Sequence, residues 1–247
     1  MKQFIAILFL LATAVGLMAD ETDRAVYRLN VQPFVELTVV DGVAVDYRQN
    51  TDSIGWAVFE CRPEMAAQIM FSNNAERLTI RTAADEVPIV GVPHVTVYSA
   101  ALHKVENSGD SLLRVFATPH VHADEFKAKQ IGNGRIEIHG INATYFEAGV
   151  TAGRGTITVD GMASKARLSN VGTGSVDARD LMAENINCFV FSTGSIDCSP
   201  SGRLRIYGAG SGKVFYHVEP EKITNRGIGV KAHSAVENKE DNTASDK

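Results

Sequence analysis

Cysteine is scarce, with three in 247 residues, too few for a fold stapled by disulfides. Basic residues show no excess: 24 Lys and Arg stand against 29 Asp and Glu, for a net charge of −5. That balance argues against a broad nucleic-acid or anionic-membrane binder. Beyond residue 19 no apolar run reaches the ~20 residues that a membrane span needs. Helical 3.6-residue spacing is missing from the second half. Glycine is plentiful instead, 21 residues in a chain that is 45% apolar. The apolar share is enough for a real core and excludes general disorder.

The N-terminus reads as an export signal. Met1-Lys2-Gln3 brings one positive charge, residues 4–11 are unbroken apolar, and small residues lead to Ala19 and the acidic Asp20-Glu21. A basic start, a short apolar core and small residues before a polar sequence form a secretory signal peptide over residues 1–19. Cleavage is expected after Ala19, with Gly16 as the alternative. The apolar stretch, residues 4–19, is short for a span. No Cys sits near the cut, so a lipoprotein anchor is unsupported. The mature chain is expected in the periplasm, on the outer-membrane surface or outside the cell, with no transmembrane segment.

In the second half, two glycines one residue apart recur at Gly132/Gly134, Gly153/Gly155, Gly172/Gly174, Gly210/Gly212 and Gly227/Gly229, with Ser192-Thr193-Gly194 in the missing place. Successive second glycines are 17 to 21 residues apart, a period that marks a repeat architecture. Two positions after each stand Ile136, Ile157, Val176, Ile196 and Val214, all β-branched. Four positions after come Ile138, Val159, Ala178, Cys198 and Tyr216. Seven after come Ile141, Met162 and Leu181, a column that fails at Ser201 and Glu219. A second alternating set runs through Ala166 and Leu168, then Ile186, Cys188 and Val190, then Leu204 and Ile206. Alternation by two places side chains on a buried and an exposed face.

Each repeat therefore holds two short strands that bury their apolar faces only by stacking on their equivalents. The expected fold is all-β: a single-stranded parallel β-solenoid of rungs about 17–21 residues long, with glycine at the tight turns. An antiparallel meander or barrel is the rival, but the persistence of residue type down the columns favours the solenoid. The first half is less regular. Strands are expected over 34–40 and 43–45 around the turn signal Asp41-Gly42, then over 78–81, 94–98 and 113–116. Pro63 followed by good helix formers predicts one or two helical turns over 63–69. One domain is expected over 25–232, followed by a polar, disordered tail over 233–247.

The string Ile131-Gly132-Asn133-Gly134-Arg135-Ile136-Glu137-Ile138 returns as Val171-Gly172-Thr173-Gly174-Ser175-Val176-Asp177-Ala178 and as Phe191-Ser192-Thr193-Gly194-Ser195-Ile196-Asp197-Cys198. With an opening Phe34-Val35-Glu36-Leu37, then Leu78-Thr79-Ile80, Val95-Thr96-Val97-Tyr98 and Asn107-Ser108-Gly109, it resembles the head GIN domain family of putative auto-transporter adhesins, found mainly in Bacteroidetes. The likeness spans about residues 30–232. It implies an exported β-solenoid with no established catalytic residues.

Two surface features are candidate sites. An outward column reads Glu137, Thr158, Asp177, Asp197 and Phe215. Carboxylates on adjacent rungs repel unless screened or bridged, so Asp177 and Asp197 either bridge a Ca²⁺, which requires 6–8 oxygens, or form a solvated face. Phe189 and Tyr207 fall outward on neighbouring rungs, where they would hold a sugar ring or a partner protein, or else simply stack on one another. His120-Val121-His122 places two imidazoles on one side of a strand, short of the ligands of a zinc site. Cys188 and Cys198 fall inward and are expected to be buried thiols, as is Cys61, with a Cys188–Cys198 disulfide the alternative after export.

No Ser-His-Asp arrangement or phosphate loop is recognisable, and no basic residue recurs beside the acidic column. No catalytic residue and no cofactor is therefore expected. The reading is an exported, non-catalytic surface module that meets a glycan, matrix, cell-envelope or protein partner, and not a nucleic acid. The runner-up is a polysaccharide lyase or hydrolase on the same scaffold.

Overall fold

The computed structural model describes residues 24–83 and 92–236. Strands β1 (Ala25–Asn30), β2 (Glu36–Val39), β3 (Val45–Gln49) and β4 (Trp56–Cys61) lead to one helical turn, α1 (Pro63–Ala66). Next come β5 (Ile69–Asn74), β6 (Arg77–Thr82), β7 (Val95–Ser99), β8 (Lys104–Asn107), β9 (Leu112–Phe116) and β10 (Ala123–Ile131). Four long strands follow: β11 (Arg135–Ala152), β12 (Thr156–Asn170), β13 (Ser175–Val190) and β14 (Ser195–Gly208). The last are β15 (Lys213–Tyr216), β16 (Lys222–Asn225) and β17 (Lys231–Ser234).

The long strands pair in parallel, each on the next, and wind a β-solenoid of about seven turns. Each breaks register near its middle and continues on the opposite side of the core. At that corner Gly140 and Gly161 take φ of +73° and +127°, where a Cβ is disfavoured. The first face runs β17-β15-β14-β13-β12-β11-β9-β3-β7-β4-β1. The second runs β16-β14-β13-β12-β11-β10-β8-β2-β6-β5.

The predicted core column is in register: Ile136, Ile157, Val176, Ile196 and Val214 pair rung to rung, and each is 0% exposed. It extends backwards through Leu113, Val45 and Val95, which the irregular spacing of the first half concealed. On the second face Phe146, Ala166, Ile186 and Leu204 form the matching column. Full burial of an Ile or Leu contributes about 1.5–3 kcal/mol, so these columns are the main stabilising element.

The turn glycines serve two ends: as expected, Gly132, Gly153 and Gly210 take φ of +97°, +76° and +126°, where a Cβ is disfavoured, whereas the glycine that follows two residues later is needed for a different reason. Of the second glycines, Gly229 takes φ of +81°, but Gly134, Gly155, Gly174, Gly194 and Gly212 have no positive φ. A Cβ on any of them would come within 3.0 Å of a backbone oxygen of the preceding rung. The amides of Gly134 and Gly155 donate to Gly109 O and Gly132 O at 3.1 and 3.0 Å. Close rung-to-rung approach is the constraint. Ser192 is tolerated in a first-glycine place because its hydroxyl serves the turn, donating to Gly172 O and accepting from the Gly194 amide at 3.2 Å.

Buried amides brace the same turns. Asn170, 0% exposed, donates through Nδ2 to Gly174 O at 2.8 Å and Ser195 O at 3.1 Å. Asn107 does the same for Ser111 O at 2.9 Å and also accepts from the Gly109 amide. Asn225 repeats the pattern with Val230 O and the Gly227 amide. The Nδ2 donors stabilise these turns by satisfying buried carbonyls, although Asn170 Oδ1 itself has no partner among the described residues; leaving one carbonyl orphaned would cost about 1–3 kcal/mol.

Antiparallel pairing, the rival reading for the whole chain, is confined to the N-terminal end, in β1–β4, β4–β7 and β5–β6. Asp41-Gly42 does turn, with Asp41 at φ +64°, but β2 and β3 lie on opposite faces, so the turn is a solenoid corner and no hairpin. The helix is one turn. Pro63 stands in its first positions with Glu64 in the first turn, an arrangement that suits a helix N-terminus, and β5 begins at Ile69. Met162, expected inward, is 60% exposed: the corner shifts register, so Gly161 takes the place beside Ile141 and Leu181. At the C-terminal end β17 runs to Ser234, two residues into the segment expected to be a tail. The expected signal peptide and residues 237–247 lie outside the described residues.

Candidate functional site

Outward side chains of successive rungs sit in register, so both faces carry rows of stacked groups at the ~4.8 Å strand spacing. On the first face Asp177 and Asp197 are direct neighbours. The positive charge between them is Arg179, whose Nε lies 2.8 Å from Asp177 Oδ1 and whose Nη2 lies 3.7 Å from Asp197 Oδ1. These contacts hold the Arg179 guanidinium above its usual ionisation range, chiefly through the Asp177 bond. His217 Nε2 completes the group at 2.9 Å from Asp197. Arg179 thus lies where a bridging Ca²⁺, one of the two alternatives read from the sequence, would have stood. Its signal was present as Asp177-Ala178-Arg179, two carboxylate partners served by one residue on the same outward row. Among the described residues no three His, Cys, Asp or Glu converge as metal ligands would.

Phe189 and Tyr207 are neighbours on the second face and stack with centroids 5.3 Å apart and planes at 17°. The Arg167 guanidinium, from the rung before, lies 3.8 Å from the Phe189 centroid. Phe189 is therefore sandwiched and has no open face of its own for a sugar.

His120 and His122 are not on a strand. Val121 closes a turn on Thr118 O at 2.9 Å, and the two imidazoles precede β10. His122 contacts Asn142 Oδ1 at 3.2 Å and Thr144 Oγ1 at 2.9 Å. It stands at the mouth of a cavity of about 280 Å³, floored by Tyr47, Leu102, Val115, Phe126 and Ile141. That is below the ~300 Å³ of drug-sized pockets. Burial pushes the Tyr47 hydroxyl up to about 12, against the lowering effect of its bond with Ser99. Cys61, Cys188 and Cys198 are free and buried. A hydrogen bond with Cys198, and then burial, raise the Cys188 thiol well above the usual range.

Two further groupings escaped the sequence because the register of the first half was not legible. Asp46, largely buried, is held by His94 at 2.9 Å and Arg114 at 2.8 Å. Beside it, Trp56, Tyr98, Arg48, Phe116 and His139 align across five strands. Arg48 lies 4.4 Å from the Phe116 centroid, and Phe116 stacks on His139 at 5.4 Å. His139 in turn meets Asp160 Oδ2 at 2.8 Å. These are charge-compensated ladders.

No helix among the described residues is long and apolar enough to cross a membrane. Comparison with solved structures finds the same fold in a putative adhesin from Bacteroides fragilis (17% identity, TM-score 0.75, covering 85% of this chain and 96% of that one). A putative adhesin from Parabacteroides distasonis is similar at 18% identity and TM-score 0.68, covering 87% and 97%. A putative lipid binding protein from the same species matches at 16% identity and TM-score 0.65, covering 86% and 96%. No curated protein matches the sequence. The family model described as putative auto-transporter adhesin, head GIN domain, matches residues 33–220, and the chain belongs to that family.

Proposed function

We propose that this protein is an exported, non-catalytic adhesin-like module whose flat solenoid faces engage a glycan, matrix or protein partner at the cell envelope or beyond it. The observation that carries the reading is the pair of extended faces with outward side chains in register from rung to rung. Such a surface repeats its chemistry at ~4.8 Å and suits a partner that is itself extended. Its family membership supports an adhesin-like role. The carboxylates that a lyase or hydrolase would use, Asp177 and Asp197, are tied to Arg179 and His217. A glycan-array screen run beside a reducing-end release assay tests it: binding without product is expected, and turnover of any polysaccharide overturns it. For export, removal of residues 1–19 should keep the protein in the cytoplasmic fraction; unchanged fractionation refutes that part.

A further inference from the structure

The molecule carries a net charge of −5, yet its second face is basic. Lys104 and Lys127 sit directly opposite one another on β8 and β10. So do Arg203 and Lys222 on β14 and β16. Like charges in register destabilise a sheet. Lys127 is relieved by Glu125 at 2.9 Å. Lys165, Arg203, Arg205 and Lys222 have no ion pair with any described residue. A positive strip on an acidic protein, maintained at that cost, is complementary to an anion.

Between these two groups lies a depression. Lys129, Gly149 and Ser169 are in register on β10, β11 and β12, and the missing side chain at Gly149 opens a hollow of about 240 Å³ bordered by three lysines, Lys104, Lys127 and Lys129, against one carboxylate, Glu147, with Thr151 and Ser169; Lys129 lies 3.8 Å from Glu106. The backbone does not require glycine here. Gly149 is in a strand with no positive φ, and an added Cβ would meet at close range only the movable Ser169 Oγ, at 2.5 Å. Glycine inside a strand weakens it and often marks close approach of a ligand. On the C-terminal side, Arg167 is pinned between Phe189 and Glu147, 3.5 Å away. A planar guanidinium held in this way is preorganised for a carboxylate or sulfate.

The geometry points to a binding site on the second face for a linear anionic polysaccharide. One acidic sugar unit sits over Gly149 between Lys129 and Arg167, and the chain continues towards Arg203 and Arg205. This rests on the surface-binding function proposed above and names its ligand class. Hydroxyls of Ser169 and Thr151 and the amides of Asn185 and Asn187 suit sugar hydroxyls. A nucleic acid would need open aromatic faces for its bases, whereas Phe189 is already sandwiched.

The test uses the purified full chain on immobilised heparin and polygalacturonate, with neutral dextran, single-stranded DNA and phosphatidylserine vesicles as comparison arms. Binding to an anionic polysaccharide, weakening as salt screens the charges, is expected. The double variant Arg203→Glu/Arg205→Glu should lower that affinity at least tenfold. Gly149→Val, which fills the hollow while favouring the strand, should do the same with the melting temperature unchanged or raised. Equal binding to DNA or to vesicles overturns the assignment, as does unchanged affinity in both variants. Cells displaying the protein provide the separate readout. If they attach to a host surface equally with wild type and both variants, the patch is wrong and the adhesin-like function stands. If they do not attach and no glycan binds, the broader function falls as well.

Discussion

Replacing Gly174 by alanine isolates the constraint that sets the rung spacing. Its φ lies outside the left-handed region, so alanine meets no backbone strain of its own. The added Cβ would collide with Gly155 O and lie 2.8 and 2.9 Å from the carbonyl carbons of Arg154 and Gly155. Those atoms belong to a neighbouring turn that cannot rotate away. Overpacking typically costs 1–3 kcal/mol. With backbone as the obstacle the upper end applies, about 3 kcal/mol. Displacement would also disturb Gly174 O, which accepts from Asn170 Nδ2 and from the Ser195 amide. At roughly 2–4 °C per kcal/mol for a domain of this size, the melting temperature should fall by about 6–12 °C. Gly42→Ala is the matched control, because a Cβ there has nothing within 4 Å; its stability should stay within about 1 kcal/mol, in the stabilising direction. Thermal melts followed by far-UV circular dichroism decide it. Equal melting temperatures for the two variants would refute close approach as the reason for the spaced glycines.

Asn170→Ala should destabilise by about 1–3 kcal/mol, since the carbonyls of Gly174 and Ser195 lose a buried donor; a denaturation midpoint equal to wild type would contradict this. Arg179→Ala leaves Asp177 and Asp197 facing each other; at this exposure the loss should not exceed about 1 kcal/mol. Added calcium should raise the melting temperature of that variant and leave wild type unmoved. Tyr47 titrates at about 12 when folded against 10 when free, so the unfolded chain releases its proton first as pH rises. The stabilising contribution is full below pH 10 and falls between pH 10 and 12 by about 2–3 kcal/mol; Tyr47→Phe should flatten that part of the stability–pH curve. All three thiols should resist a thiol reagent in the native protein and react together on denaturation, and fast native labelling of Cys188 would show that the core opens locally.

The solenoid was legible where one residue class repeats down a column. Ile136, Ile157, Val176, Ile196 and Val214 face an unchanging interior, so selection for shape leaves a signal at a fixed interval. The first half hides the same geometry because its corners are longer and β4 and β5 enter in the antiparallel sense, which breaks the interval although Val45 and Leu113 fill the same column. Only half of the reason for the glycines was legible: the left-handed φ of Gly132 and Gly153 can be inferred from one turn, whereas the approach of Gly155 O to Gly174 exists only between two. The surface was least legible. Arg179 was visible as a neighbour of Asp177, but Lys104 opposite Lys127, or Arg203 opposite Lys222, requires knowing which residues of separate strands meet. Asn170 and Asn107, polar residues in core positions, make sense only once the carbonyls they satisfy are in place.

Because every coil rests on the one before it through the same backbone contacts, this molecule behaves as a ruler with graduations of ~4.8 Å. Inserting or excising one whole coil, cut between equivalent positions such as Ile157 and Val176, would change its length by one graduation and leave the chemistry of both ends as it was. Span and specificity are thus independent variables in this architecture: the number of coils sets the reach, and the side chains on the rows set what is grasped along it.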